Sequence, residues 1–188
     1  MDKHRVRLTK RILKEALIEE LQKKTLPQVT VKMLCDKAGI NRSTFYSHYE
    51  DLRGLLHEIE TDIISAMPLI SYSNATTLDE VIEHADYIEQ NYDAITVLIK
   101  NGFFVQAAIL KFVNDYTNKN LPNQKEKENN TALFQFVAAY TIGGMSQSLL
   151  YWSENKKVLS SQQIALLLLD LSKSSMGIRK KHENMHNV

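Results

Sequence analysis

Cysteine, proline and glycine are all scarce in this chain: one, three and six among 188 residues. A lone cysteine, Cys35, cannot form an internal disulfide, so no covalent framework holds the fold and a reducing, cytoplasmic setting is expected. So few turn-formers exclude an architecture of many short strands and favour long helices with short connections. No segment alternates strictly between apolar and polar residues, and no repeat of 20–50 residues is visible. The longest aliphatic run, Ile164 to Leu169, falls far short of the roughly 20 residues that span a bilayer. The opening Met1 to Arg5 leads into no apolar run of the kind a secretory leader carries. Nor is there a surplus of charge, since 23 Lys and Arg face 22 Asp and Glu.

What the chain does have is enough apolar content, 44%, for one or two compact domains with a real core. Its charge is also unevenly placed. Residues 1–55 carry 12 basic and 7 acidic side chains, whereas 56–188 carry 11 and 15. A basic head is joined to an acidic body, although a charged surface alone is as consistent with a solvated face as with a polyanion partner.

Helical periodicity organises the head. Ile12, Leu13, Ala16, Leu17 and Leu21 form one stripe of a helix over about Leu8 to Lys23, which Pro27 prevents from continuing. Thr30 is placed to cap a short second helix whose Val31, Leu34, Cys35 and Ala38 share a face. Gly39 breaks that helix, and a turn of about three residues leads to Asn41, the cap of a third helix from Arg42 to Tyr49. This is helix-turn-helix spacing. Phe45 and Tyr49 can join the second helix's stripe in a small core, leaving Arg42, Ser43, Tyr46 and Ser47 on an outward face. Arg can bridge guanine O6 and N7, and Ser or Thr can bond several base edges, so that face suits a major groove. Thr44, Tyr46 and His48 can hydrogen-bond phosphate oxygens, as can the amide groups near Thr30 and Val31. Cys35, on the inward stripe, reads as a small core residue.

A fourth helix is expected from Glu50 or Asp51 to Met67, before Pro68. Beyond a turn at Ser71 to Thr76, Thr77 and Glu80 form a capping-box pattern for a helix to Gln90. Shorter and longer helices follow over Asn91 to Asn101 and Phe103 to Asn120. The charged, Asn-rich stretch Asn123 to Asn130 is expected to be a mobile loop. The last two long helices, Thr131 to Asn155 and Ser161 to Ser175, are apolar over more than one stripe and so need cover on several sides. A twofold dimer through these helices is the simplest cover, with Leu149, Trp152, Leu166 and Leu169 at the interface. Aromatic and soft residues of the middle helices, Tyr87, Tyr92, Phe103, Phe104, Tyr140, Met145 and Trp152, could line an effector pocket, above all Tyr87, Phe104, Tyr140 and Met145, though plain core packing accounts for each at least as well. His182 and His186 have i, i+4 spacing, but with no third ligand near them they read as a polar tail and no metal is expected. No cofactor is implied. No nucleophile and base, metal set or phosphate-cradling glycine loop appears, so an enzyme is not expected.

The segment Thr30 to Leu56, above all Gly39-Ile40-Asn41-Arg42-Ser43-Thr44-Phe45-Tyr46-Ser47-His48-Tyr49, preceded by Leu8-Thr9-Lys10-Arg11-Ile12, resembles the TetR family of transcriptional regulators. The resemblance implies an all-α fold of about nine helices. Residues 1–51 would be a three-helix DNA-binding domain, and 52–188 a helical ligand-binding and dimerisation domain. It also implies Arg42, Ser43, Thr44 and Tyr46 near the groove floor and Thr30, Tyr46 and His48 on phosphates. One departure stands out: many members place a Lys at the first turn of the fourth helix, where this chain has Leu52 followed by Arg53. Gly143-Gly144-Met145, Leu149 to Trp152 and Ser160 to Leu171 look like the paired terminal helices of the dihydroxyacetone kinase regulator subgroup. The expected protein is a cytoplasmic, nucleoid-associated homodimer on an inverted-repeat operator, a repressor released by a small-molecule effector. The alternative is a protein-docking co-activator or adaptor of the same fold without an inducer.

Overall fold

The computed structural model describes residues 3–68, 78–120, 124–155, 158–160, 162–164, 166–168, 170–171 and 174. Every regular element among them is helical, as the composition predicts. The order is α1 (Lys3–Leu21), a 3-10 turn (Leu26–Gln28), α2 (Val31–Ala38), α3 (Arg42–Tyr46), α4 (Leu52–Ala66), α5 (Leu78–Gln90), α6 (Tyr92–Lys100), α7 (Val105–Asn120) and α8 (Gln124–Glu154). The described residues between 162 and 174 are helical as well. The turn at 71–76, the Thr77 cap, Leu169 and the tail with His182 and His186 lie outside the described residues.

Two expectations change. The loop expected over Asn123 to Asn130 is helical from Gln124 onward, as the first turns of α8. Gln, Lys and Glu are good helix formers, and a polar stretch lacks only a reason to be buried, not the ability to coil. The third helix is five residues long rather than eight, because the chain tightens into a turn at Ser47 and His48.

By internal contacts the chain forms two compact units, residues 1–65 with 93–103, and residues 66–92 with 104–188. The first unit therefore holds more than the helix-turn-helix expected to end at residue 51. It adds α4 and all of α6 beyond Tyr92. The α1 stripe buries Leu13, Ala16, Leu17 and Leu21, α2 buries Leu34 and Cys35, and α4 buries Leu52, Leu55, Leu56, Ile59, Ile63 and Ile64. In α6 every residue from Ala94 to Ile99 is buried. Each large aliphatic side chain removed from water in this way contributes about 1.5–3 kcal/mol.

Ion pairs fasten α1 to α4 at the rim of that core. Lys10 Nζ lies 2.8 Å from Glu58, Lys14 Nζ lies 2.7 Å from the same carboxylate, and Lys14 also binds Asp62. Lys10 additionally sits over the Tyr49 ring, 5.2 Å from its centroid. On the other side Lys37 of α2 bridges Glu19 and Glu20, and Lys24 binds Glu20. Lys10 and Lys14 are thus matched by carboxylates outside residues 1–55, which reduces the basic surplus read from the sequence, whereas Lys24 and Lys37 pair with Glu19 and Glu20, already counted in it. Burial by itself would raise the Glu58 carboxyl, but hydrogen bonds from Lys10 and Lys14 outweigh it and hold its pKa at about 2. Burial of the Tyr49 phenol, with the Glu58 charge beside it, pushes that pKa far above the ordinary tyrosine value.

The second unit has two apolar clusters. In one, Ile109 and Val113 of α7 pack on Phe134 and Ala138 of α8, with Tyr116 tilted against Phe134 at 5.0 Å. In the other, Leu149 and Trp152 of α8 pack on Ile164 and Leu168, and Ile88, Tyr92, Met145 and Leu159 flank them. The indole Nε1 donates to the Leu159 carbonyl at 2.7 Å, and the Tyr92 ring meets the indole edge to face at 5.4 Å. His84 Nδ1 donates to the Pro68 carbonyl at 2.9 Å, and burial lowers its pKa in spite of that bond.

Because the Glu58 pKa lies below its ordinary 4.5, its stabilisation is complete above that pH and is lost as pH falls toward about 2. Glu58→Gln should flatten this acid limb and lower stability at neutral pH by about 1–3 kcal/mol. Chemical denaturation at a series of pH values measures both.

Candidate nucleic-acid interface

The candidate surface is built by α2, the turn after it, and α3. Thr30 adopts the extended conformation of an N-cap, and its Oγ1 accepts from the Met33 amide at 3.2 Å. The hydroxyl is exposed, so its proton can be donated outward while its oxygen caps the helix. Gly39 ends α2 in the left-handed conformation, φ 64° and ψ 31°, and the next amide, of Ile40, returns to the Cys35 carbonyl at 3.0 Å. A Cβ at Gly39 would meet nothing within 4 Å, so the need for glycine here is one of backbone angle, not of space. Burial, with Asp36 as a smaller contributor, raises the Cys35 thiol, which suits an inert core residue.

From Asn41 the chain enters α3. Phe45 is fully buried, and its ring meets Tyr46 at 5.4 Å and Tyr49 at 5.6 Å. With Phe45 pointing inward, Arg42, Ser43, Tyr46 and Ser47 are left on the solvent side, Tyr46 being 58% exposed. Thr44 is half-buried. The Ser47 hydroxyl donates to the Thr44 carbonyl at 2.7 Å, so it presents outward as an acceptor. His48 is half-buried and its Nε2 is shut off from solvent without a hydrogen-bond partner, which leaves Nδ1 as the nitrogen that could reach a phosphate. The tight turn after Tyr46 leaves His48 partly inward.

At the start of α4, Asp51 Oδ1 accepts from the Gly54 amide at 2.8 Å. Its carboxylate completes the helix end, so its negative charge is engaged by the chain's own backbone. Leu52 is buried and Arg53 is exposed, with its guanidinium 5.6 Å from the Phe103 ring centroid. No periodicity connects residues 53 and 103, so this pair was invisible in the sequence.

In the second unit, the residues suggested for an effector pocket are dispersed. Phe104 is buried, Tyr87 and Met145 are half-buried, and Tyr140 is 73% exposed. A cavity of about 450 Å³ is lined by Gln147, Ser148, Tyr151, Trp152, Asn155, Val158, Leu159, Ile164 and Leu167, so that Trp152 lines it and those four do not. Of the suggested interface residues, Leu149 and Trp152 are buried in the chain's own core, and Leu166 is exposed. Among the described residues no group of His, Cys, Asp and Glu could hold a metal ion.

Comparison with solved structures finds the same fold in proteins of low sequence identity. A TetR transcriptional regulator from Streptococcus agalactiae 2603V aligns over 90% of this chain and 96% of its own, with 20% identity and a TM-score of 0.60. The dihydroxyacetone kinase operon activator DhaS aligns over 90% of this chain and 97% of its own, with 18% identity and a TM-score of 0.54. No family model and no curated protein matches the sequence. The chain therefore has the all-helical fold of these two transcription regulators.

Gly39→Ala should cost about 1–2 kcal/mol through backbone strain, and Gly39→Asn less, because Asn tolerates the left-handed region. Denaturant midpoints of the three proteins give the order directly.

Proposed function

We propose that this chain is a homodimeric, sequence-specific DNA-binding regulator of transcription. The observation that carries the reading is the outer side of α3: Arg42, Ser43, Tyr46 and Ser47 face solvent together, held by the buried Phe45 behind a glycine turn. A guanidinium, hydroxyls and a phenol on so short a helix can enter a major groove, with Arg42 bidentate to guanine as the main base contact. Thr30 and Tyr46 would hold phosphates on either side, and Thr44 and His48 would add to them. The names of both solved structures, a transcriptional regulator and an operon activator, agree with this class.

The outer face of α8 supports the dimer. Phe136, Tyr140, Gly143, Gln147 and Tyr151 recur at i, i+4, i+7, i+11 and i+15, one side of the helix, while Phe134, Ala138, Leu149 and Trp152 occupy the buried side. Phe136 and Tyr151 are 77% and 71% exposed. A Cβ on Gly143 or Gly144 would meet nothing within 4 Å, although a glycine inside a helix costs about 1 kcal/mol. Two glycines between exposed aromatic rings make a shallow notch into which the helix of a second copy can cross closely. The interface then consists of Phe136, Tyr140, Gly143 and Tyr151 with Leu166, in place of Leu149 and Trp152, which the chain's own core occupies.

In such a dimer the two α3 helices must stand about 34–36 Å apart to enter successive major grooves of an inverted repeat. An effector that prefers another separation would lower operator affinity in proportion to its differential affinity for the two states, and the protein would act as a repressor.

Arg42→Ala should cost about 1–3 kcal/mol of operator affinity and relax preference at one base position, measured by selecting bound fragments of the source genome with purified protein. An unchanged sequence profile would remove Arg42 from the groove. Gly144→Leu should convert the dimer to monomers of normal helicity in sedimentation experiments, and an undiminished dimer would place the interface elsewhere.

A further inference from the structure

The cavity at the end of α8 has walls that the chain fixes with its own hydrogen bonds. They come from two stretches of the second unit, one running to Asn155 at the close of α8 and one from Val158 to Leu167. Asn155 directs both its amide and its side-chain Nδ2 to the Tyr151 carbonyl, at 3.0 and 2.8 Å. The Trp152 Nε1 donates across the turn to the Leu159 carbonyl. Ser160 and Gln163 then form a reciprocal capping box: the Gln163 amide donates to Ser160 Oγ at 3.2 Å and the Ser160 amide to Gln163 Oε1 at 2.9 Å. Behind them Ile164 and Leu168 pack on Leu149 and Trp152. The space is therefore shaped before anything enters it, which lowers the entropic cost of binding.

Its chemistry is selective. None of the nine lining residues is charged, so an ion entering it would give up water without gaining a counter-charge. The Ser148 hydroxyl donates to the Gly144 carbonyl at 2.9 Å, so its Oγ meets a ligand as an acceptor. The only donor of the Trp152 side chain is engaged by Leu159. Most of the remaining wall is apolar: the indole face and the side chains of Val158, Leu159, Ile164 and Leu167. A volume of about 450 Å³ lies within the range of roughly 300–1,000 Å³ in which small molecules are bound.

We propose that this cavity is a binding site for an uncharged, largely apolar small molecule that stacks on Trp152 and donates one hydrogen bond to Ser148 Oγ. The site lies apart from the middle-helix residues Tyr87, Phe104, Tyr140 and Met145, and binding there does not depend on DNA recognition. The rival occupant is a second copy of the chain, because Gln147 and Tyr151 also belong to the outward side of α8. A helix crossing at Gly143 and Gly144 is about 10–12 Å wide, whereas Asn155 lies about 16 Å further along α8 than Gly144. That end of the cavity stays open to a ligand in such a dimer.

Trp152 is the chain's single tryptophan, so its fluorescence reports on the cavity directly. Three probes of one skeleton test the chemistry: hydrocinnamyl alcohol, propylbenzene, which lacks the donor, and hydrocinnamate, which is charged. The alcohol should give a saturable change in the full-length protein, and the carboxylate should bind at least about ten-fold more weakly. Leu167 is exposed, so Leu167→Asp should fold normally and abolish the response. Ser148→Ala should weaken the alcohol by about three- to ten-fold and leave propylbenzene unchanged. No saturable change, an undiminished response in Leu167→Asp, equal effects of Ser148→Ala on alcohol and hydrocarbon, or tighter binding of the carboxylate would each overturn the proposal. So would an affinity for the alcohol that falls as protein concentration rises, since the second copy would then be the occupant. Each of these results leaves the DNA-binding reading standing, and absence of DNA binding would leave this site standing.

Discussion

A helix of five residues cannot hold itself together in water, because its first hydrogen-bonded turn fixes more dihedrals than its few bonds repay. The α3 segment exists because Phe45 is buried, and everything this surface can do depends on that one apolar contact. Around Phe45 the unit is built so that the ring has only one place to go. Leu13 and Leu17 of α1, Leu34 of α2, Leu55 and Leu56 of α4, and Ile95 and Leu98 of α6 are likewise fully shielded from solvent. The Gly39 turn sets the direction in which α3 departs, and Phe45 sets its rotation. With those two settings fixed, the outward residues follow from helical geometry alone.

The charged rim works on the same unit by a different route. Exposed ion pairs usually contribute little, but Lys10 and Lys14 converge on one half-buried carboxylate, Glu58, and the result is a small network with a shared anchor. Its effect is to keep α1 in register with α4 while Lys10 covers the Tyr49 ring just after α3. The head's excess of basic residues is therefore partly structural. Part of the positive charge that a sequence count assigns to a partner is already matched within the protein.

Much of the head was legible in the sequence, since Thr30, Gly39, Asn41 and the spacing of Leu34, Phe45 and Tyr49 are local signals with a direct mechanical meaning. What escaped was tertiary. The length of α3 is decided by the turn at Ser47 and His48, which no periodicity announces in so short a segment. The Arg53 and Phe103 pair joins residues fifty positions apart, and the membership of α6 in the first unit is a matter of packing. In the body, the apolar pattern of α8 indicated more than one apolar side but could not say which residues the chain would cover by itself. Leu149 and Trp152 turn out to face Ile164 and Leu168, and Phe136, Tyr140 and Tyr151 are left uncovered. The helical start of α8 shows the limit of composition, because a polar, charged stretch can coil as readily as it can remain irregular.

The first unit is assembled from two separate stretches of chain, with twenty-seven intervening residues belonging to the other unit. Recombination that swaps only the N-terminal portion between two proteins of this fold would transplant the α3 surface without the buried helix that completes the unit's interior. A chimera that respects the physics must carry residues 93–103 together with 1–65. The α3 surface and the helix that completes the interior behind it are thereby inherited as one piece, and neither can drift without the other adjusting.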